Sequence, residues 1–292
     1  EWSGQVVAVG SGVKDFVPGD RVAGEAHVGC GKCDNCKKGH YTVCLNYGKD
    51  GKDGSLDMGH RHYGFYWQGA NAEYNVYKTS ALHKIPENVS YDVASMCDCA
   101  GVAFHGVQLA GVTPGGTSVV FGPGAIGLCA MMECKALGSG RVIMIGRGAK
   151  LEKARELGAD ICIDFEKEDP VQRVLELTNG IGADEIMECS GAADSPLKAC
   201  KMVRKTGSVA IIATYHDDNV LIPANTVNFN EIKLVGSKAN PNVSEQVLGF
   251  FASGAIKGEK LITHTFPLEE YEKAVDIFEH KKDGSIKVVI HP

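Results

Sequence analysis

The chain has 292 residues, long enough for two domains, and is 44% hydrophobic and 23% charged, the balance of an ordinary globular protein. Its formal net charge of -6, with no basic run, argues mildly against a nucleic-acid partner. No apolar run reaches the roughly 18 residues that a membrane-spanning helix needs, which leaves no membrane partner to expect.

The chain opens on Glu1, not Met, and directly in strand-like sequence, which predicts that it is a piece of a longer protein. Val6 to Val9 and Asp20 to Gly24 read as β-strands, with Val17 to Asp20 as the turn between them. Cys30, Cys33 and Cys36 follow at three-residue spacing, with Cys44 eight residues further on. Four thiols so spaced suit a closed tetrahedral zinc site, because Zn²⁺ accepts four thiolates without redox chemistry. No position is left open, so its role would be structural; two disulfides or four free thiols are the alternatives. The chain has eleven cysteines, an odd number, and Cys129, Cys134, Cys162, Cys189 and Cys200 stand singly in apolar sequence. They read as reduced core residues, which suits a reducing cytoplasm.

Residues 45 to 72 are rich in Gly, Asp, Lys, His and aromatics and read as a long loop. Its His60 and His62 are possible ligands, although paired loop histidines are more often solvated or hydrogen-bonded. Strands are expected at Ala72 to Tyr77 and Leu82 to Pro86. A helix in two parts is expected from Tyr91 to Leu109, interrupted at Met96 to Gly101.

The stretch from Thr117 to Arg147 organises the rest. An apolar run, Ser118 to Phe121, enters the turn Gly122-Pro123-Gly124-Ala125-Ile126-Gly127; a helix-like stretch runs to Leu137, and a second apolar run, Val142 to Ile145, ends in Gly146-Arg147. Strand, G-x-G-x-x-G, helix and strand in this order point to a dinucleotide site. Gly122 permits the tight turn, Gly124 lets backbone approach a pyrophosphate, and Gly127 lets helix pack on strand. The helix-start N–H groups, at Ala125 and Ile126, would face the phosphates. A glycine-rich turn with no ligand is the alternative. Where NAD-preferring domains place an acidic residue on the ribose, this chain has Gly146, followed by Arg147, with Lys150 nearby. Glycine leaves room for a 2′-phosphate and an arginine fork can hold it, which favours NADP; an exposed Arg beside a relaxed NAD site is the alternative. Strands and helices then alternate through Val235, which predicts six parallel strands in the order 3-2-1-4-5-6. Here a helix is expected from Ser195 to Lys205 and a strand from Ser208 to Ile212.

The four-cysteine lobe, the glycine turn, the segment Asp98 to His105 and the tail Ile262 to Leu268 together resemble the zinc-dependent medium-chain alcohol and polyol dehydrogenases. The resemblance runs from Glu1 to Pro292. It implies an α/β fold: a doubly wound Rossmann domain at 109–251, and a mostly β GroES-like domain, N-terminally truncated, at 1–108 and 252–292, with the zinc lobe at 27–48. It also implies zinc and a nicotinamide cofactor, a small-molecule alcohol or polyol substrate, and a homodimer or homotetramer. Asp98, seven residues before His105, matches a ligand of the family's catalytic zinc; Cys97 and Cys99 flank it, and a one-residue register change would alter the ligand. A helix-capping Asp is the alternative. Glu1 matches a glutamate that can approach that zinc. The family's His and Cys ligands and its proton relay would precede Glu1, so this chain is expected to be inactive by itself. The nicotinamide is expected against backbone near Ala213-Thr214 and Ser237-Lys238. Sorbitol-type members often carry Arg-Tyr where Ala239-Asn240 stand here, which weakens the sorbitol reading. In the implied mechanism zinc polarises the substrate oxygen, and the substrate carbon passes hydride to the nicotinamide. The rival is a non-catalytic nucleotide-binding protein or inactive fragment that keeps only the structural zinc. A non-zinc reductase would leave the four-cysteine lobe and Asp98 unexplained.

Overall fold

In a computed structural model residues 1–46, 61–65 and 67–292 are described; they group into two units, 1–101 with 238–292, and 102–237. His60, a possible ligand in the sequence, lies outside the described residues.

The first unit begins with β1 (Trp2–Gln5) and β2 (Arg21–Gly24), an antiparallel pair. Trp2 lies opposite Gly24, where any side chain would overlap the indole, so a glycine lets the ring cross the neighbouring strand. The expected strand at Val6 to Val9 does not form. Pairing runs out at Val6, whose N–H donates to the Asp20 carbonyl (2.9 Å), and Val7 and Val9 are exposed. The short β3 (His27–Val28) precedes α1 (Asp34–Lys37) and pairs antiparallel with β4 (Arg61–His62). The segment Ala72 to Tyr77 forms no strand; β5 (Leu82–Lys84) closes the first sheet in the order β1-β2-β5. Ser90 caps α2 (Tyr91–Ser95) by accepting from the Val93 N–H (3.3 Å). Only Met96 separates it from α3 (Cys97–Ala110), so the interruption is shorter than expected.

The second unit is one parallel sheet. Its elements are β6 (Thr117–Phe121), α4 (Ala125–Ala136), β7 (Arg141–Gly146), α5 (Gly148–Leu157), β8 (Ile161–Asp164) and α6 (Pro170–Leu177), then β9 (Ala183–Glu188), α7 (Ser195–Met202), β10 (Val203–Ile211), α8 (Ala224–Phe229) and β11 (Lys233–Gly236). The strand order β8-β7-β6-β9-β10-β11, parallel throughout, is the expected 3-2-1-4-5-6 Rossmann arrangement. The helix expected through Lys205 stops at Met202, and β10 starts at Val203 with a register irregularity before Ser208. On one face of the sheet Val119, Ile143, Ile163, Ile186 and Val209 pack with Val174, Ala199 and Met202 of the helices. Successive residues along β6 and β7 are buried, so both faces are covered, which explains why these strands read as unbroken apolar runs.

The chain then returns to the first unit with α9 (Ser244–Ser253), β12 (Ile262–Pro267), α10 (Tyr271–Glu279) and β13 (Lys287–His291). β12 and β13 are parallel, with α10 as their crossover, and Phe266, Ala274 and Ile277 form the core between them. No helix among the described residues is long and apolar enough to cross a membrane.

Ile186 is fully buried in the central strand pair. Ile186→Ala should cost about 3 kcal/mol of stability through lost burial and a cavity, lowering the midpoint of thermal unfolding.

Candidate metal and nucleotide sites

Cys33 is the N-cap of α1, and the turns around it bring the four thiols together. Cys30 and Cys36 Sγ are 3.9 Å apart, as are Cys33 and Cys44 Sγ, and all four sulfurs lie within 4.8 Å of one another. Four Zn–S bonds of about 2.3 Å in a tetrahedron place sulfurs about 3.8 Å apart, so the residues fit the ion. Among the described residues this is the one metal-ligating group of three or more. Backbone N–H groups of Lys32 and Cys33 donate to Cys30 Sγ (both 3.4 Å), and those of Cys36 and Leu45 to Cys33 Sγ (both 3.5 Å). Such donors favour thiolate. The Lys32 N–H is the largest influence that brings the Cys30 thiol down to about 6. Burial pushes Cys36 up to about 12 and raises Cys44 as well. Four thiolates this close need a divalent cation to offset their charge, which this donor set suits.

A buried carboxylate ties the lobe to its unit. Glu25 is 2% exposed; Tyr41, from between the third and fourth cysteines, donates to its Oε2 (2.6 Å), and Ser244 Oγ donates to Oε1. His83 Nε2 lies 2.9 Å from the same Oε1. The Tyr41 oxygen in turn accepts from the Asn242 N–H (3.0 Å). Burial, followed by the Glu25 charge, pushes the Tyr41 hydroxyl well above its usual range, so it stays a donor.

Asp98 is half-buried in the first turn of α3 and accepts from the Ala26 N–H at 3.5 Å. Burial raises its carboxyl and the Glu25 charge adds to that, while hydrogen bonds from the Ala26 N–H and the Asn240 side chain oppose it. The Glu1 carboxylate pairs with Lys287. Cys97 donates to the Ser244 carbonyl (3.6 Å) and is pushed up by burial; Cys99 donates to the Met96 carbonyl (3.3 Å). Asn240 is fully buried beside them, packed over Gly101, where any Cβ would come within 2.7 Å of the Asn240 Cβ. His62 stacks with His27 and Phe65 (ring centroids 4.1 Å in each case), and burial lowers its pKa.

In the second unit the glycine turn shows what each position requires. Gly122 has φ +90°, and a Cβ there would lie 2.9 Å from Ser190 Cα. A Cβ on Gly127 would overlap the Gly122 carbonyl oxygen. Gly124 differs: nothing lies within 4 Å of its Cβ position, so glycine leaves open space there. It is the N-cap of α4 and has no side chain to cap with, while the N–H groups of Ala125, Ile126 and Gly127 lack intrahelical acceptors by helix geometry. Open space in front of uncapped N–H groups fits a pyrophosphate.

The loops around the turn converge on Glu188, which sequence reasoning missed. Fully buried at the end of β9, its Oε1 accepts from the Ser190 N–H (2.8 Å), Ser190 Oγ (2.5 Å) and Gly191 N–H (3.2 Å), and its Oε2 from Tyr215 OH (2.5 Å). At the end of β7, Gly146 is buried, and Arg147 is exposed as N-cap of α5. Arg147 Nη1 lies 2.6 Å from Glu166 Oε1, and its guanidinium sits 5.6 Å from the Phe165 ring centroid. Lys150 is half-buried in the first turn of α5.

A doubly wound sheet with a glycine turn, in a chain that also carries a four-cysteine cluster fit for zinc, marks a zinc-binding, nucleotide-dependent oxidoreductase. Family models place the particular group. One for alcohol dehydrogenase GroES-like domains matches residues 1–87, and one for zinc-binding dehydrogenases matches 125–253. An L-threonine 3-dehydrogenase of Bacillus licheniformis is 34% identical over 295 residues, 100% of this chain and 81% of the relative. A sorbitol dehydrogenase of Halalkalibacterium halodurans is 32% identical over 297 residues, 100% of this chain and 82% of the relative. A solved structure from Sinorhizobium meliloti 1021, described as a zinc-binding dehydrogenase bound to NADP, has a TM-score of 0.87 at 28% identity, covering 99% of this chain and 82% of that one. The chain belongs to the zinc-dependent medium-chain alcohol and polyol dehydrogenases.

With zinc bound at the four-cysteine cluster, as its geometry fits, Cys36→Ser should release the ion and loosen the lobe. Metal analysis after exhaustive dialysis should fall from about one equivalent to near zero, with faster proteolysis between about residues 28 and 46.

Proposed function

We propose that this dehydrogenase transfers hydride between an alcohol or polyol, or the matching ketone, and a nicotinamide nucleotide, with NADP preferred. The observation that carries the preference is the pair at the end of β7: a buried Gly146 where a carboxylate would repel a 2′-phosphate, followed by the exposed guanidinium of Arg147. The NADP bound to the related Sinorhizobium structure supports it. On this reading the N–H groups of Ala125 and Ile126 take the pyrophosphate, with Gly122, Gly124 and Gly127 shaping the turn and Lys150 adding positive charge. Cys30, Cys33, Cys36 and Cys44 hold the structural zinc. Asp98, with Glu1 in reserve, is assigned to a catalytic zinc. Bound there, zinc would polarise the substrate oxygen and the nicotinamide would give or take the hydride. The residues of this chain contribute orientation: Glu188 fixes the loops beside the turn, and Glu25 fixes Tyr41 and Ser244 near Asp98. The relatives are named for sorbitol and for L-threonine, so the substrate stays at the level of class. The eleven cysteines, none in a disulfide, suit a reducing compartment such as the cytoplasm, and the family resemblance suits a dimer or tetramer.

Arg147 is already paired with Glu166, so a phosphate must compete for the fork. Arg147→Ala should therefore weaken NADP binding by about tenfold, the low end for a charge-assisted contact, and leave NAD nearly unchanged. Fluorescence titration of both reduced nucleotides checks this; equal losses for the two would make Arg147 an ordinary surface residue.

A further inference from the structure

We propose that Pro123, inside the glycine turn, is a specificity-determining residue: its ring fixes glycine at position 146 and so keeps a carboxylate away from the adenosine ribose. The inference rests on the NADP reading above and deepens it.

The geometry is close-fitting. A Cβ built on Gly146 falls 2.5 Å from both Cγ and Cδ of Pro123 and 3.5 Å from Leu151 Cδ1. Real Cβ atoms do not approach that closely. Gly146 is not in the left-handed region, so its own backbone would accept other residues. The obstacle is its neighbour. A flexible side chain could swing aside, but a proline ring is bonded to its own backbone nitrogen and moves only with the chain.

That stretch of chain is braced on three sides. The Gly122 N–H donates to the carbonyl of Ile145, the residue before Gly146 (2.9 Å). Gly122 lies against Ser190, which Glu188 holds through both the backbone N–H and the hydroxyl. Gly127 closes on the Gly122 carbonyl from the helix side. The turn therefore cannot recede from β7 without breaking the contacts that shape the phosphate site. Any side chain at 146 must overpack this junction. An acidic residue, which would take the ribose hydroxyls of NAD and repel the 2′-phosphate of NADP, is excluded by a residue that need touch neither group.

The test is a mutant cycle on the 292-residue chain. In melting experiments Gly146→Ala should lower the unfolding midpoint, and Pro123→Ala with Gly146→Ala should recover most of the loss. In fluorescence titrations with NADPH and NADH, Gly146→Asp alone should lose about tenfold in affinity for both nucleotides; adding Pro123→Ala should bring NADH back to within about threefold of wild type while NADPH stays weak. If Gly146→Ala melts like wild type, or Gly146→Asp alone binds NADH as well as the double variant, Pro123 does not set the position and the proposal falls. A wild type with no preference for NADPH would instead defeat the cofactor reading, and the selectivity assigned to Pro123 with it. The melting cycle reports on the Pro123–Gly146 contact in either case, which separates the two failures.

Discussion

A carboxylate removed from water must have its lone pairs filled, and Glu188 meets that demand with donors from two different loops. It stands at the end of β9, beside β6, where the strand order reverses and the crevice of a doubly wound sheet opens. Ser190 and Gly191 come from the loop that follows its own strand, and Tyr215 from the loop after β10. Gly191 has φ +69°, and a Cβ there would meet the Thr214 carbonyl oxygen at 2.7 Å, so the two loops also touch through backbone. Ser190 then backs Gly122. One buried carboxylate thus sets the spacing of three segments around the glycine turn, and truncating it would remove the acceptor that the donors of two loops share.

Glu25 solves the same problem in the other unit. Its donors come from the cysteine lobe and from α9, and His83 approaches from β5, so a polar network fastens the lobe independently of any metal. Glu133 is the contrast. It is fully buried in α4 with neither carboxyl oxygen hydrogen-bonded, and burial pushes its carboxyl well above the usual range. A lone carboxylic acid in apolar surroundings stays neutral. Glu25 and Glu188 earn their place by holding loops; Glu133 holds none.

Much of the fold was legible because its signals are local. The glycine turn, the parallel-strand runs and the cysteine spacing each lie within a few tens of residues. The networks were not legible. Glu25, Tyr41, His83 and Ser244 come from four separate places in the chain, and no periodicity links them. Glu188 read as the end of a strand, although a carboxylate followed by Cys189-Ser190-Gly191 at a strand end was a usable sign of a loop anchor. Propensity misled where tertiary context decided. Val6 to Val9 has β-branched residues but no described strand to pair with, and Lys205 is a good helix former that sits within β10. Likewise Gly146 read as an empty space for phosphate, whereas the structure gives it a second reason to be glycine.

That second reason changes how discrimination between the two nucleotides should be understood. Binding selectivity is a difference, and it can come from attraction to one ligand or from the removal of what would repel it. The attraction available here is modest: Arg147 is exposed, screened by solvent and already paired with Glu166. The removal of repulsion is firmer, because it is enforced by packing around Pro123 and does not weaken with salt. On the proposed reading, then, the pair Pro123 and Gly146 decides which nucleotide is tolerated, and Arg147 adds a margin that ionic strength can erode. On the same reading the rigid part of the choice lies in the turn proposed to take the pyrophosphate, so phosphate binding and cofactor selection would share one piece of backbone.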